Sequence, residues 1–321
     1  MNSNYTITSK NHADWLKSRE GGIGSSEVAT VLGMNPYDTP YQLWLRKTGR
    51  VQVVEEQNNL MRMGHILEDA IARLCAEDAN LEIVKNSIAE FVVIDKEKSW
   101  MRASPDRYAY PKGVKKTAGN KVIIECKSSQ KAVDPDNISK YWFLQVLWQM
   151  RITQVPMTYL AWLIQGRDFG FKPFYYDADF AKFVEEEVER FWIDCIIGGR
   201  EPAPINVQDV LIKFPRHDEG KKVYATDDIV QMWADLKDTN DEIKRLTATK
   251  EEIESKLKMK MLDAEALVIP GDNESPEKTI ATWKASKPSK KFDADALKTA
   301  QPEIYAKYLH DVEGSRRFSL K

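Results

Sequence analysis

Two carboxylates and a lysine stand close together in the segment 99–127, in an order that could support catalysis. Asp106 follows a proline in the first half, and the segment ends with Glu125, Cys126 and Lys127. The pattern predicts two β-strands joined by a basic turn. Because side chains alternate along a strand, Glu125 and Lys127 are expected on one face while Cys126 points into the protein body. The hairpin would therefore bring Asp106, Glu125 and Lys127 to one end.

This arrangement predicts a metal site. Neighbouring carboxylates repel unless a cation lies between them, and oxygen ligands suit Mg²⁺ or Mn²⁺. An ammonium beside them can hold a phosphate oxygen or polarise a water molecule. Asp106, Glu125 and Lys127 alone predict no more than a metal-dependent phosphodiesterase, since short patterns of this kind are common by chance.

The charge around the hairpin suits a polyanionic substrate. The whole chain has a formal net charge of −2, so any basic surface must be local. Residues 101–131 contain eight basic and two acidic residues. Such a patch could recruit a nucleic-acid backbone while the carboxylates recruit metal. For the lysine-rich turn alone, a solvated loop is an equally good interpretation.

An amphipathic helix is predicted upstream of the hairpin, over residues 58–78, because apolar residues recur there at helical spacing. Glu68 lies one turn after Gly64 on the same face. The small residue would leave room beside the carboxylate for a substrate or a metal ion. From this helix alone, a solvated glutamate is the favoured interpretation.

A second helix is predicted directly after the hairpin, over residues 139–152, with an apolar stripe that would pack on the sheet. Gln145 and Gln149 are four residues apart, so they share one face. The first turns of this helix are expected near Asp106 and Glu125. An ordinary polar helix face is the alternative.

A glycine-rich turn precedes Ser25 and Ser26 near the start of the chain. Glycines allow close backbone approach, and serines are favoured N-caps for the apolar helix expected over 28–32. The N–H groups at such a helix start could bind a phosphate. An ordinary capped helix is the alternative.

Composition predicts a globular protein with a substantial core and reduced thiols. Its three cysteines are widely spaced, with no zinc or iron–sulfur pattern. The polar N-terminus lacks a signal-peptide pattern and no apolar run could span a bilayer, so a cytoplasmic protein is expected. We predict a core over 1–204 and an extension over 205–321. The extension contains a long helical pattern over 229–261 with a sparse, nearly heptad seam, and it ends in a basic tail.

Taken together, these motifs resemble the YqaJ-like, lambda-exonuclease-like viral recombinase family of PD-(D/E)XK nucleases. The resemblance covers roughly residues 12–200. It follows the order R-x6-S-E-V, G-x3-E, P-D, E-x-K and a helix bearing glutamine, and the segment 22–49 looks much like the family's N-terminal block. It implies an α/β (α+β) fold with a restriction-endonuclease-like core. A central mixed β-sheet would be flanked by helices and followed by a mainly helical C-terminal extension.

The resemblance also implies roles for individual residues. Two divalent ions would be bound by Glu68, Asp106, Glu125 and the backbone carbonyl of Cys126. Lys127 would position or activate the attacking water, and Gln145 would help orient the site. The 5′-phosphate of a DNA end would be bound by Arg19, Ser26 and Ser25. The sequence departs from the family's common Q-x-Q pattern at Leu147, which leaves the role of Gln149 open.

The implied activity is Mg²⁺- or Mn²⁺-dependent 5′-to-3′ exonuclease digestion of double-stranded DNA ends. The resulting 3′ overhangs would serve recombination by strand annealing. A trimeric ring and a single-strand annealing partner are further implications, with no membrane association. A DNA endonuclease or repair nuclease on the same fold is one alternative, although the cysteine pattern argues against iron–sulfur variants. A non-catalytic DNA-binding protein is another, and the retained Asp106, Glu125 and Lys127 argue against it.

Overall fold

The computed structural model describes residues 5–8, 18, 20–51, 59–84, 91–271, 275–312 and 314–321. The chain divides into two compact units, Met1–Lys213 and Phe214–Lys321. The first unit extends past residue 204, where the sequence suggested a boundary.

Nine strands and six α-helices form the described part of the first unit. The strands are β1 Tyr5–Thr8, β2 Ile23–Gly24, β3 Leu81–Ile83, β4 Phe91–Ile94, β5 Met101–Ala103, β6 Arg107–Pro111, β7 Val122–Ser129, β8 Met157–Ile164 and β9 Asp168–Tyr175. The helices are α1 Val28–Val31, α2 Pro40–Lys47, α3 Asn59–Asp78, α4 Lys140–Thr153, α5 Ala178–Phe191 and α6 Val207–Lys213. There are 3₁₀ turns at Ser25–Glu27 and Ala118–Asn120, and a π-helical segment, Trp192–Ile197, continues α5.

The strands form two mixed sheets. The larger has the order β3-β6-β7-β8-β9, in which β7 and β8 are parallel and the other pairs are antiparallel. The smaller has the order β1-β4-β5-β2, with β2 and β5 parallel. The parallel pair β7–β8 is joined through α4, as a parallel crossover requires. The predicted mixed α/β fold with a central mixed sheet and flanking helices is confirmed.

The prediction that the first half of the hairpin is one continuous strand is wrong. β5 ends at Ala103 and β6 begins at Arg107, and the two strands belong to different sheets. Pro105 lies in the break, and a proline has no N–H to donate to a strand ladder. Asp106 therefore lies at the junction of the two sheets rather than within a strand.

The large sheet is covered on both faces. On one face, Ile71 and Cys75 of α3 pack in a buried cluster with Ile124 and Cys126 of β7. On the other, side chains of α4 pack against Leu160 and neighbouring residues of β8. Since side chains alternate along β7, this layering points Glu125 and Lys127 towards α4 and Cys126 towards α3.

Helix α4 is fixed in place by apolar packing and by ion pairs. Leu147 and Trp148 are almost fully buried in the largest core cluster. Arg151, in the last turn of α4, lies 2.7 Å from Glu185 of α5. Lys98 lies 2.9 Å from the same glutamate. The helix that faces Glu125 is therefore anchored to its neighbours by these contacts.

The glycine-rich turn makes the close backbone approach that the sequence predicts. Ile23 N–H donates to the Trp100 carbonyl at 2.7 Å, at the start of the parallel β2–β5 pair. A Cβ atom on Gly22 would overlap that same carbonyl. Only glycine fits at this position without movement of the strand.

The second unit is mainly helical in its described residues, as predicted for the extension. It contains α7 Asp227–Met261, α8 Ala294–Ala300 and α9 Pro302–Lys307, together with an antiparallel hairpin of β10 Ala266–Ile269 and β11 Lys278–Thr282. None of the helices in the described parts of either unit is both long and apolar enough to cross a membrane.

Asp209 of α6 links the end of the first unit to its N-terminal region. Its fully buried carboxylate accepts hydrogen bonds from Thr39 Oγ1 at 2.8 Å, Gln42 Nε2 at 2.9 Å and Ile205 N at 3.1 Å.

Asp209→Ala would leave these donors unpaired, so we expect a loss of about 3 kcal/mol in unfolding free energy, measured by chemical denaturation. The exposed Asp168→Ala is the control, with an expected change within about 0.5 kcal/mol. Equal stability of the two variants would contradict the structural role of Asp209.

Candidate active site

Asp106 takes the place of a strand partner at the end of the β6–β7 ladder. The last paired residues are Arg107 and Ile124. Beyond them, the backbone N–H of Cys126 donates to Asp106 Oδ2 at 2.7 Å. A buried N–H needs an acceptor, and the break in the first strand allows the aspartate side chain to provide one.

Glu125 is the most buried acidic residue of the site, with 2% of its surface exposed. Lys127 Nζ lies 2.7 Å from Glu125 Oε1. Gln145 Nε2 donates to the same oxygen, and Gln149 Nε2 donates to Oε2 at 2.7 Å. The ammonium of Lys127 also donates to Gln145 Oε1 at 2.9 Å. The structure thus brings the predicted residues Glu125, Lys127 and Gln145 together.

Gln149 has a defined place that the sequence left open. Leu147, which departs from the family's usual glutamine, is buried in the core. Gln149 lies one turn after Gln145 on the same face and binds the second oxygen of Glu125. Its own Oε1 is buried and has no hydrogen-bond partner among the described residues. Gln149 is therefore the second glutamine that this helix presents to Glu125.

Glu68 reaches the site from α3, the helix on the opposite face of the sheet. Its carboxylate lies 3.1 Å from His65 Nδ1 and 3.9 Å from a guanidinium nitrogen of Arg107. Arg107 is nearly buried, and it also donates to the Asp106 carbonyl at 2.7 Å. Arg107 therefore connects Glu68 with Asp106.

Burial and neighbouring carboxylates disfavour the charged forms of Asp106 and Glu68. Burial raises the pKa of Asp106 well above its usual range, and the charges of Glu125 and Glu68 add to the effect. Burial also raises the pKa of Glu68, with a smaller contribution from Glu125, although His65 and Arg107 oppose it. Glu125 contributes to the raised pKa of both Asp106 and Glu68, as a like charge at short range does.

The lysine of the site stays charged and the cysteine stays neutral. Burial alone would lower the pKa of Lys127, but the charges of Glu125 and Asp106 outweigh it and raise the value. The pKa of the Cys126 thiol is raised well above its usual range, first by burial and then by Asp106 and Glu125. Lys127 is therefore a cation at neutral pH, and Cys126 does not supply a thiolate.

The donor chemistry of the site fits a hard divalent cation. The charges of Glu125 and Glu68 add to the cost of ionising buried Asp106, and a bound dication would offset that cost. Within the described residues, no three acidic, histidine or cysteine side chains converge into a ready metal-binding group. Here the oxygens of Glu125 and Asp106 accept hydrogen bonds from protein donors instead.

The predicted phosphate-binding residues are only partly placed. Arg19 lies outside the described residues. Ser25 is buried and Ser26 is exposed, in the 3₁₀ turn that packs against α4. The prediction that these serines cap the helix over 28–32 is wrong, because the N-cap residue of α1 is Glu27. The serines lie inside the preceding 3₁₀ turn, which begins after Gly24, and the Gly24 N–H donates to Glu27 Oε2 at 2.8 Å.

Lys47 is a residue of this region that the sequence reasoning missed. Its ammonium lies 2.9 Å from Glu27 Oε2 and 2.7 Å from the Gly22 carbonyl, and its side chain is 7% exposed. A nearly buried lysine at the end of an amphipathic helix has no distinctive local signal. Arg107 likewise has no local signal that separates it from the other basic residues of the patch.

The basic patch around the hairpin is divided between structural and exposed residues. Arg102 donates to the Ser18 carbonyl, and Lys121 lies over the ring of Tyr108, 3.6 Å from its centroid, with a pKa lowered by burial. The exposed basic residues are Lys112, Lys115, Lys116 and Lys131. Fewer cations face solvent than the sequence count implies.

The protein has an α/β fold in which a carboxylate–lysine cluster lies on β7, beside the start of β6. A flanking helix supplies glutamines to the cluster, and this arrangement is of the nuclease type. Residues 14–156 match the family model of the YqaJ-like viral recombinase domain. The resemblance drawn from the sequence is thereby confirmed for this part of the chain, which is similar to that domain. The family match and the site together support a nuclease.

Similar proteins include one relative that extends over nearly the whole chain. The uncharacterized protein YqaJ of Bacillus subtilis (strain 168) is 27% identical over 321 residues, covering 96% of this chain and 93% of that one. The alkaline exonuclease LHK-Exo from Laribacter hongkongensis is 16% identical, covering 58% of this chain and 93% of that one with a TM-score of 0.45. A phage related exonuclease from Haemophilus somnus 129PT is 13% identical, covering 56% and 96%, with a TM-score of 0.39.

Asp106→Asn is expected to stabilise the metal-free protein. A pKa raised by folding means that the folded state loses stability as the pH rises from the unfolded value near 3.8 through the folded value. The amide removes the charge and can still accept from Cys126 N–H. In EDTA near pH 8 we expect a melting temperature about 2–4 °C above wild type.

The difference should shrink as the pH is lowered and wild-type Asp106 becomes protonated. Asp136→Asn, at an exposed position, is the matched control and should change little. If Asp106→Asn melted at a lower temperature than wild type at pH 8, the charge of Asp106 would not destabilise the folded protein, and the prediction would be wrong.

Proposed function

We propose that this protein is a metal-dependent 5′-to-3′ exonuclease acting on double-stranded DNA ends. The observation that carries the proposal is the Glu125 cluster, in which Lys127 and Gln145 bind one oxygen and Gln149 the other. The match to the viral recombinase domain supports the same reading. Its 3′ single-stranded products would serve recombination by strand annealing.

Glu68, Asp106, Glu125 and the Cys126 carbonyl are the groups that would hold Mg²⁺ or Mn²⁺, with two ions as the expected number. When bound, the ions would supply an activated water and stabilise the charge that develops on the phosphate and the leaving oxygen. The protein would contribute an ordered, partly buried set of oxygens. Gln145 and Gln149 would hold Glu125 in one orientation.

Lys127 would act as a hydrogen-bond donor rather than as a base. Its raised pKa keeps the ammonium protonated at neutral pH, and a protonated amine cannot accept a proton from water. Glu125 and Gln145 fix its position at 2.7 and 2.9 Å. From there it would orient the attacking water or neutralise a phosphate oxygen.

Recognition of the DNA end is proposed for the segment that precedes α1. Ser26 is exposed in a turn that packs against α4, the helix that binds Glu125. Arg19 and Ser25 are proposed to act with it on the 5′-phosphate. A trimeric ring, a single-strand annealing partner and a cytoplasmic location remain proposals from the family resemblance.

Lys127→Ala should lower digestion of linear duplex DNA with Mg²⁺ by about 10³-fold, because it removes the positioned cation from the reacting phosphate. DNA binding, measured separately by fluorescence anisotropy, should persist. Lys115→Ala removes an exposed lysine of the same hairpin and should retain most activity. Full activity in Lys127→Ala would overturn the assigned role.

End-labelled duplex DNA tests the direction of digestion. With Mg²⁺ we expect mononucleotides from the 5′ label, released faster from a 5′-phosphorylated end than from a 5′-hydroxyl end, and no cutting of closed circular plasmid. Ser26→Ala should reduce the preference for phosphate, because it removes a proposed donor. Release from the 3′ label, or linearisation of the plasmid, would contradict the proposal.

A further inference from the structure

Helix α7 is long and has almost no buried surface. It spans 35 residues, and Met261 is its only buried residue. At 1.5 Å per residue, its length is about 52 Å. Helices in water gain most of their stability from burying an apolar face. The apolar face of α7 is therefore left largely uncovered by the described residues of its own chain.

The apolar residues of α7 follow a regular heptad. Taking Ile229 as position a, the five a positions and the five d positions contain seven apolar residues. These residues are Ile229, Met232, Leu236, Ile243, Leu246, Ile253 and Leu257. Each is between 39% and 58% exposed. The remaining a and d residues are Thr239, Lys250 and Lys260. We refer to these ten positions as the α7 seam.

The chain's own C-terminus lies beside this seam rather than on it. Trp233, at a flanking e position, donates its indole N–H to the Lys321 carbonyl at 3.3 Å. The tail thus contacts the flank, while the a and d side chains on either side, Met232 and Leu236, stay exposed. The tail does not account for the seam in the described part of the chain.

The charges of α7 are divided between its two halves. Residues 227–244 contain six acidic and two basic residues, whereas residues 245–261 contain five basic and three acidic residues. A copy of the helix running the opposite way would place the acidic half beside the basic half. A parallel copy would place like charges side by side. Antiparallel packing also opposes the two helix dipoles favourably.

From this complementarity we propose that α7 pairs with α7 of a second copy of the chain, as an antiparallel coiled coil centred between Lys244 and Arg245. In this register, Leu236 faces Ile253 and Ile243 faces Leu246 of the other copy. The arrangement is two-fold symmetric, so every contact occurs twice.

Two features support this particular register. Met232 would face Leu257, and the polar Thr239 would face Lys250 rather than a leucine. Only in the terminal layer, where Ile229 would face Lys260, does an apolar residue of the α7 seam meet a lysine. At the flanking g positions, Asp235 would lie beside Lys256 of the other copy. Their present partners, Gln231 for Asp235 and Glu252 for Lys256, lie on the same helix, one turn away.

Cysteine cross-linking in the full-length protein tests the pairing. The double variant Leu236→Cys/Ile253→Cys should form a covalent dimer on mild oxidation, seen on a non-reducing gel. Each single variant should remain monomeric on that gel. The two positions are 17 residues, or about 25 Å, apart along one helix, so they cannot form a disulfide within a chain. The three natural cysteines are buried, and wild type gives the background.

The single variants also distinguish the two orientations. In a parallel pair, Leu236 would face Leu236 and the single variant would cross-link as well as the double. That result, or a double variant that stays monomeric, would overturn the proposal. Because disulfide capture reports on α7 alone, the result does not depend on the proposed nuclease activity or trimer.

Charge reversal in the double-cysteine variant tests the register of the α7 pair independently. Asp235→Lys should slow the initial rate of cross-linking about tenfold, because a lysine then lies beside Lys256. Lys256→Asp should have a similar effect. The combination of both reversals should return the rate to within about twofold. A combined variant as slow as either single reversal would contradict the register.

Discussion

A carboxylate buried inside a sheet must be paired, and Glu125 is paired from several directions. Lys127 lies on the same strand face, and Gln145 and Gln149 approach from the helix packed on that face. Removing any one donor would leave a buried charge with fewer partners, which is costly. The positions of β7 and α4 are therefore coupled through this one side chain. The apolar packing of α4 and its ion pair with Glu185 hold the glutamines at the required distance.

The rest of the site depends on the break between β5 and β6. Because the chain changes sheets at Pro105, Asp106 can turn towards the Cys126 N–H instead of continuing a ladder. The cost is a buried second carboxylate near Glu125, and burial, together with the charge of Glu125, raises the pKa of Asp106. We expect a bound cation to offset this cost. Glu68 adds a third oxygen group from the opposite face of the sheet.

The sequence predicts those parts of the site that depend on local periodicity. Alternation along β7 places Glu125 and Lys127 together, and four-residue spacing places both glutamines of α4 on one face. The strand break could not be predicted, because which strands pair is decided by distant partners. The role of Gln149 depends on Glu125, 24 residues away. The N-cap prediction failed because a 3₁₀ turn that contains both serines precedes α1, so Glu27 is the N-cap residue. The placement of Lys47 depends on Glu27 and on the Gly22 carbonyl, 20 and 25 residues away, so no local pattern could reveal it.

We expect metal binding at this site to depend on Glu125, which is held by its three partners. Calorimetric titration of the protein with Mn²⁺ tests it directly, because it needs neither DNA nor turnover. Wild type should bind, and Glu125→Gln should lose at least about 100-fold in affinity. The exposed Glu82→Gln should bind as wild type does. Unchanged Mn²⁺ affinity in Glu125→Gln would contradict the account.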